Sequence, residues 1–190
     1  MTGFYYEDEI FEQLQLANED LGKKEFVECT FRHCDFSEAH LSTTDFIDCH
    51  FIGSNLSMIQ VAGTGFKNVD FDNCKMLGVD FQVCSDFLLK LSFKDCQLDF
   101  SNFHQMKLAQ TQFINCRMES VEFQEADLSR AVFKGSSLMN AQFYNSNLEE
   151  SDFREAIAYI INPNQNRVKG AKFSLDGVMG LLQQYQIEIT

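Results

Sequence analysis

Tryptophan is absent from this 190-residue chain, proline occurs once, at Pro163, and glycine ten times, whereas twenty residues are phenylalanine. An average globular chain carries several prolines per hundred residues, so this bias belongs to a chain that uses one aromatic residue type periodically. Cationic side chains are scarce as well, 15 against 28 carboxylates, for a net charge of −13. That balance excludes a binder whose affinity comes from neutralising phosphates, and anionic membranes would repel such a surface. No apolar run approaches the roughly 20 residues of a membrane span. The opening Met1-Thr-Gly-Phe-Tyr-Tyr-Glu-Asp-Glu lacks the basic start and apolar core of a signal peptide, so the expected location is the cytoplasm. Chemistry-bearing motifs are missing too. The seven cysteines form no Cys-x-x-Cys pair, and no Gly-x-Ser-x-Gly, His-Glu-x-x-His or phosphate-loop glycine pattern occurs. His33, His40, His50 and His104 have no carboxylate or thiol at ligand spacing. The chain is therefore expected to be no enzyme and to hold no metal, no cofactor and no small-molecule substrate.

What is present is a period of five. From Phe26 to Phe81 every fifth residue is apolar, twelve in succession, and from Phe93 to Phe153 thirteen more follow without a miss. Of these 25 positions, 15 are Phe, which removes chance as an explanation. Leu16 and Leu21 extend the register backwards. A period of five fits neither the helix at about 3.6 nor the strand at about 2. Two residues before each centre the side chain is Cys, Ala, Ser, Thr or Val in 21 of the 25 cases. One large and one small inward residue per five, with three polar ones outward, describe a chain that turns a corner every five residues around a filled axis. Four corners close a square coil of 20 residues, and stacked coils pair their backbones at the strand spacing of about 4.8 Å. Nearly seven coils give a rod of about 33 Å. Cys29, Cys34, Cys49, Cys74, Cys96 and Cys116 all fall in the small slot and read as small buried hydrophobes in a reducing compartment. Only Cys84 lies in irregular sequence.

The run Ala126-Asp-Leu128-Ser-Arg, Ala131-Val-Phe133-Lys-Gly, Ser136-Ser-Leu138-Met-Asn, Ala141-Gln-Phe143-Tyr-Asn resembles the Ala-(Asp/Asn)-Leu-x-x pattern of the pentapeptide-repeat family. The resemblance implies an all-β fold, a right-handed quadrilateral β-helix. We expect an N-terminal cap over residues 1–15, the solenoid over 16–157 and a C-terminal cap and dimerisation segment over 158–190.

Two places break the period. Between Phe81 and Phe93 the spacing is twelve instead of ten. One parsing of this 82–92 interruption makes Phe87 a corner between two six-residue turns; the other keeps Cys84 in a small slot and lets residues 86–92 bulge. Both produce a local protrusion, read either as a recognition loop or as a tolerated defect. After Phe153 the pattern decays. Ser174 there can cap a short helix with Leu175, Val178, Met179 and Leu182 on one face, and Gln186-Ile-Glu-Ile-Thr190 alternates like a strand. A solenoid needs its last edge covered. A short apolar helix and the Ile187/Ile189 pair exceed what a cap requires, so these six apolar residues are expected to join two copies about a two-fold axis.

The tail Asn162-Pro-Asn-Gln-Asn166, Lys169-Gly-Ala-Lys-Phe-Ser-Leu175 and Gln186-Ile-Glu-Ile189, with Cys74-Lys-Met-Leu-Gly-Val-Asp80 upstream, is similar to that of bacterial pentapeptide-repeat proteins conferring resistance to topoisomerase poisons, the albicidin, microcin and quinolone groups. The resemblance implies a homodimeric DNA mimic that binds DNA gyrase or topoisomerase IV, with no nucleic acid bound directly. If Phe87 is a corner, one face gathers Glu25, Glu28, Asp45, Asp48, Asp86, Asp127, Glu149 and Glu150 against Lys67, Lys107 and Arg130. These acids, with Phe87 and Leu88 of the interruption, are the candidate gyrase contacts. Their density stays well below the one charge per about 1.7 Å of duplex DNA, so electrostatic steering is expected, not a charge-for-charge copy. A scaffold solenoid serving some other protein partner is the alternative.

Overall fold

Each five-residue unit turns in the same way. Its central Phe, Leu, Met or Val points to the axis, the small residue two places earlier fills the space beside it, and the residue two places later takes a left-handed conformation that carries the chain round the corner. Such positive φ values recur from Asp8 and Glu28 through Asn68 and Asn115 to Glu150. Asn, Asp and Gly are common there because left-handed backbone costs them least. Glu28 is held in it by donating its N–H to the Ile47 carbonyl one coil on, at 2.9 Å.

The computed structural model describes residues 3–188 and is a four-sided parallel β-solenoid. Ten short strands form on two of the four sides. β1 (Tyr5–Glu7), β3 (Glu25–Val27), β5 (Asp45–Ile47) and β7 (Gly65–Lys67) make one parallel sheet. β2 (Ile10–Glu12), β4 (Thr30–Arg32), β6 (His50–Ile52), β8 (Val69–Asp72), β9 (Leu91–Lys94) and β10 (Gln112–Ile114) make the second. The other sides are tied by single bridges such as Asp35 to Asn55 and His40 to Gln60. Register follows the coil length, so Phe26 lies over Phe46 and Phe31 over Phe51.

All 25 centres are buried. Rings on one side stack along the axis and meet those of the next side edge-on: Phe123 stacks on Phe103 and Phe143, both at 5.3 Å, and meets Phe113 at 5.8 Å and a steep angle. The small slot is not only a matter of size. Thr44, Ser136 and Ser146 use their hydroxyls to donate to the carbonyls of Leu21, Phe113 and Phe123 one coil below, at 2.8 to 2.9 Å. Cys49 and Cys74 do the same with thiols at 3.3 and 3.4 Å. Burial pushes the Cys49 thiol up to about 12, far from the thiolate that oxidants attack.

The coil starts earlier and ends later than the boundaries expected from sequence. Within residues 1–15, β1 and β2 are already in register, with Tyr6 paired to Phe26 and Phe11 to Phe31. At the other end bridges continue from Asn147 to Arg167 and from Asp152 to Lys172, and Phe173 stacks on Phe153 at 5.4 Å. Residues 176–185 then form a short helical cap, α-helical only over α1 (Met179–Leu182). Ser174 Oγ accepts the Gly177 N–H at 3.1 Å, as its N-terminal capping role requires. The strand expected from Gln186 onward does not form over 186–188, because Gln186 turns left-handed at φ 50°. Ile189 and Thr190 lie outside the described residues.

The interruption resolves against a corner at Phe87. Gly65 bridges to Ser85 and Val69 pairs with Leu91, so the coil register is kept on both sides of the insertion. The surplus is expelled between them. Cys84 and Leu89 pack against the core, while Phe87 and Leu88 stand 64% and 66% exposed.

Because Phe123 touches four rings and has no room to relax, Phe123→Ala is expected to cost about 3–5 kcal/mol. A chemical denaturation midpoint unchanged by this substitution would contradict the packing described.

Candidate functional site

Three surface regions contain the residues singled out from sequence. The first is the side that carries β1, β3, β5 and β7. In-register pairing sets Glu25 beside Asp45, and Glu28 and Asp48 occupy the left-handed corners next to them. Gly65 follows Asp45 in that column, and a Cβ there would lie 2.0 Å from Asp45 Oδ1. The missing side chain makes room for Asp45 to reach Lys67 Nζ at 3.0 Å. Asp48 accepts from Asn68 Nδ2 at 2.6 Å. Farther along, Asp127 caps Ser129 N–H at 3.1 Å and accepts from Asn147 at 2.8 Å, Glu150 pairs with Arg130 at 2.7 Å, and Glu149 with Arg167 at 3.0 Å.

The arrangement is two acidic groups separated by the bulge, not one continuous stripe. Of the eight carboxylates, Asp45, Asp86, Glu149 and Glu150 carry a cationic partner. Asp86 pairs with Lys107 at 2.7 Å, and this hydrogen bond and charge hold its carboxyl below the usual range. Sequence reasoning missed where the uncompensated charge gathers. Residues 3–40 contain ten carboxylates and three cations, so the N-terminal coils are the acidic end of the rod. A count by coil, instead of by face, would have found it.

The second region is the bulge. Lys67, already paired with Asp45, also lies 5.8 Å from the centre of the Phe87 ring and orients it through a cation–π contact. Beside the projecting Phe87 and Leu88 opens a cleft of about 400 Å³, walled by Cys84, Asp86 and Leu89 on one side and His104 and Lys107 on the other. An aromatic and an aliphatic side chain thus stand out from an acidic surface, the aromatic one held by Lys67.

The third region is the C-terminal cap. Gly177 and Gly180 press against Tyr159; a Cβ on Gly180 would fall 2.2 Å from the Tyr159 carbonyl oxygen. This close approach lays α1 across the last coil and leaves a cleft of about 950 Å³ between residues 154–160 and the helical cap. The filled axis excludes a ligand from the interior, but the cap builds a cavity at the end that sequence did not anticipate. Leu175, at 92%, is the most exposed large apolar residue of the described chain, and Val178, Met179 and Ile187 are exposed with it. Leu182 is half-buried, and its neighbour Leu181 is the residue that packs on the core. Ile189 is outside the described residues. Among the described residues, no group of His, Cys, Asp and Glu is placed to hold a metal ion, and no helix is long and apolar enough to cross a membrane.

A four-sided solenoid with one large and one small inward residue per five defines a class, and comparison with known proteins agrees with it. The family model for a pentapeptide repeat region matches residues 24–103 and 87–173, so the chain belongs to the pentapeptide-repeat family. It is 29% identical over 114 residues to the quinolone resistance pentapeptide repeat protein QnrB96 of Scandinavium goeteborgense, a match covering 54% of this chain. The chain spans about half the length of that curated relative, 50%. Two trypsin-treated structures of QnrB1, a plasmid-mediated fluoroquinolone resistance protein, share the fold. One superimposes with a TM-score of 0.64 at 17% identity, covering 98% of this chain and 100% of the other. The second gives 0.58 at 17% identity, covering 98% and 91%. The right-handed quadrilateral β-helix expected from the repeat is the fold observed.

Tyr159 Oη is buried and has no hydrogen-bond partner among the described residues. An unsatisfied buried hydroxyl costs about 1–3 kcal/mol, so Tyr159→Phe is expected to stabilise the cap by about 1 kcal/mol. A thermal or denaturant midpoint that falls on this substitution would show that the hydroxyl has a partner.

Proposed function

We propose that this protein is a binding protein that protects DNA gyrase or topoisomerase IV from an inhibitor by occupying the enzyme's DNA site. The observation that carries the reading is the similarity to a quinolone resistance pentapeptide repeat protein over more than half of this chain. The surface is compatible with it. An acidic rod is drawn towards a basic DNA-binding saddle, and the bulge offers Phe87 and Leu88 as an apolar anchor once docked. Glu25, Glu28, Asp45, Asp48, Asp86, Asp127, Glu149 and Glu150 would supply steering, with Asp45 and Asp86 also fixing the lysines that frame the bulge. The working form is a homodimer joined through Leu175, Val178, Met179, Leu182 and Ile187, together with Ile189, whose placement is not described. That joint puts the acidic ends outermost. The site of action is the cytoplasm, where the target enzymes work, and no nucleic acid is bound directly.

The assembly is tested by sedimentation. The intact chain should run at twice 21.9 kDa, and a chain ending before Ser174 should run as a monomer or aggregate through its uncovered edge. A 21.9 kDa species at micromolar concentration would rule the dimer out.

The function is tested by gyrase supercoiling, with and without a fluoroquinolone, over a titration of this protein. Relief of poisoning at low dose is expected, with inhibition at high dose. Joint conversion of Asp45, Asp48, Asp86 and Asp127 to Asn should slow association about tenfold at low salt and flatten its salt dependence. Phe87→Ala with Leu88→Asn should weaken binding with no loss of melting temperature, both side chains being exposed. Neither relief nor inhibition at any dose would replace this reading by a scaffold solenoid with another protein partner.

A further inference from the structure

The two ends of the rod are finished differently. The last coil is overlaid by the helical cap, whereas over the first coil, among the described residues, only Gly3 lies, donating its N–H to the Tyr6 hydroxyl at 2.8 Å. Glu25 N–H donates to the Phe4 carbonyl at 2.8 Å and Asp8 N–H to the Val27 carbonyl at 3.0 Å. In a parallel ladder alternate residues face opposite neighbours, so the N–H and C=O of Tyr5 and Glu7 in β1 point away from the coil above. On β2, Thr30 N–H to the Glu9 carbonyl and Gln13 N–H to the Arg32 carbonyl, both at 2.9 Å, leave Ile10 and Glu12 in the same position. The inward rings above this edge, Tyr6 and Phe11, are only half-buried, and Tyr5 and Ile10 expose apolar side chains beside it. The rim is anionic: Glu7, Asp8, Glu9 and Glu12 lie on the first coil. Of the nearby cations, Arg32 is 3.6 Å from Glu12, and Lys24 donates to the Gly3 carbonyl at 2.9 Å.

We propose that the open edge of β1 and β2 is a docking site for an extended segment of another protein, one that alternates apolar and basic residues and adds as a further parallel strand. Its apolar residues would lie beneath Tyr6 or Phe11, continuing the ring column. Their N–H and C=O would face Tyr5, Glu7, Ile10 and Glu12, and the basic residues between them would lie against Glu7 and Glu12. Charge decides the kind of occupant. A second copy of this chain would bring ten more carboxylates against these ten within residues 3–40, whereas a basic strand is attracted. The proposal does not rest on the topoisomerase reading, because it concerns strand chemistry and not the identity of the target.

The test uses the full-length protein and three synthetic peptides of about ten residues alternating Lys and Val: one unmodified, one N-methylated at every Val and one N-methylated at every Lys. Pairing with the Val side inward requires the Val amides, so methylation there should weaken binding about tenfold or more, while methylation at Lys should leave it nearly unchanged. Amide exchange of Tyr5 and Glu7, or of Ile10 and Glu12, according to which side the strand joins, should slow about tenfold on binding the unmodified peptide. Equal binding of all three peptides would mean attraction by charge alone and overturn the proposal. So would protection appearing elsewhere on the rod, or no binding at millimolar concentration, which would leave the acids as a device that only keeps edges apart. Protection of these amides in the protein alone, rising with its concentration, would identify a second copy as the occupant and overturn it too.

Discussion

A square coil has room on its axis for four large and four small side chains per turn, and that steric limit governs the rest of the molecule. A helix or an ordinary sheet can move a misplaced residue outward at modest cost. Here every side is hydrogen-bonded to the sides above and below, so surplus residues have to leave the coil as a bulge if later side chains are to keep their direction relative to the axis. Phenylalanine suits the large position because a flat ring stacks at nearly the strand repeat: Phe133 lies 5.1 Å from Phe113 and 4.6 Å from Phe153. Cys, Ser and Thr suit the small position because each can give a hydrogen to a carbonyl that the close packing has removed from water.

The same limit explains what could and could not be read from sequence. The centres from Phe26 to Phe153 and their small partners were legible because the period is strict. Tyr6 and Phe11 were equally legible, lying ten and five residues before Leu16, but a Tyr among acids does not look like core. The insertion was legible only as two alternatives, a corner at Phe87 or a bulge after Cys84, and the structure takes the second. Phe87 is as hydrophobic as any centre, and dividing twelve residues into two sixes is the tidy solution. Register forbids it. With Ser85 held by Gly65 and Leu91 by Val69, a six-residue side has no partner of its own length, so the excess leaves at a single corner and Leu89 comes in where Phe87 would have been.

Charge was legible along the face as a sum, eight acids against Lys67, Lys107 and Arg130, but the pairing of each base with an acid one coil away, about 20 residues distant in sequence, needs the coil register. Asp45 with Lys67, Asp86 with Lys107 and Glu150 with Arg130 all join successive coils. Exposed pairs of this kind add little stability, commonly about 0–1 kcal/mol, but they cancel field. The acidic potential therefore shifts from the middle of the rod to the first two coils, where cations are few.

A rod whose repeats touch only their neighbours has an interior that does the same work in every coil, so individuality can enter only where the repeat fails. It fails in three places, each with a different chemistry. At the bulge, an insertion that register could not absorb becomes an aromatic–aliphatic projection held in place by Lys67 and the Asp86–Lys107 pair. At the C-terminal end, the glycines against Tyr159 bring in a helix whose remaining apolar surface has no partner among the described residues. At the N-terminal end, the stacking that stabilises every other coil stops with two half-covered rings and a row of unused backbone groups among carboxylates. Solenoids commonly blunt such an edge with a cap, and charge is the cheaper means when the edge must stay accessible. The carboxylates that would repel a second copy at this edge are the same ones that would attract a basic strand, so one set of residues would serve both purposes.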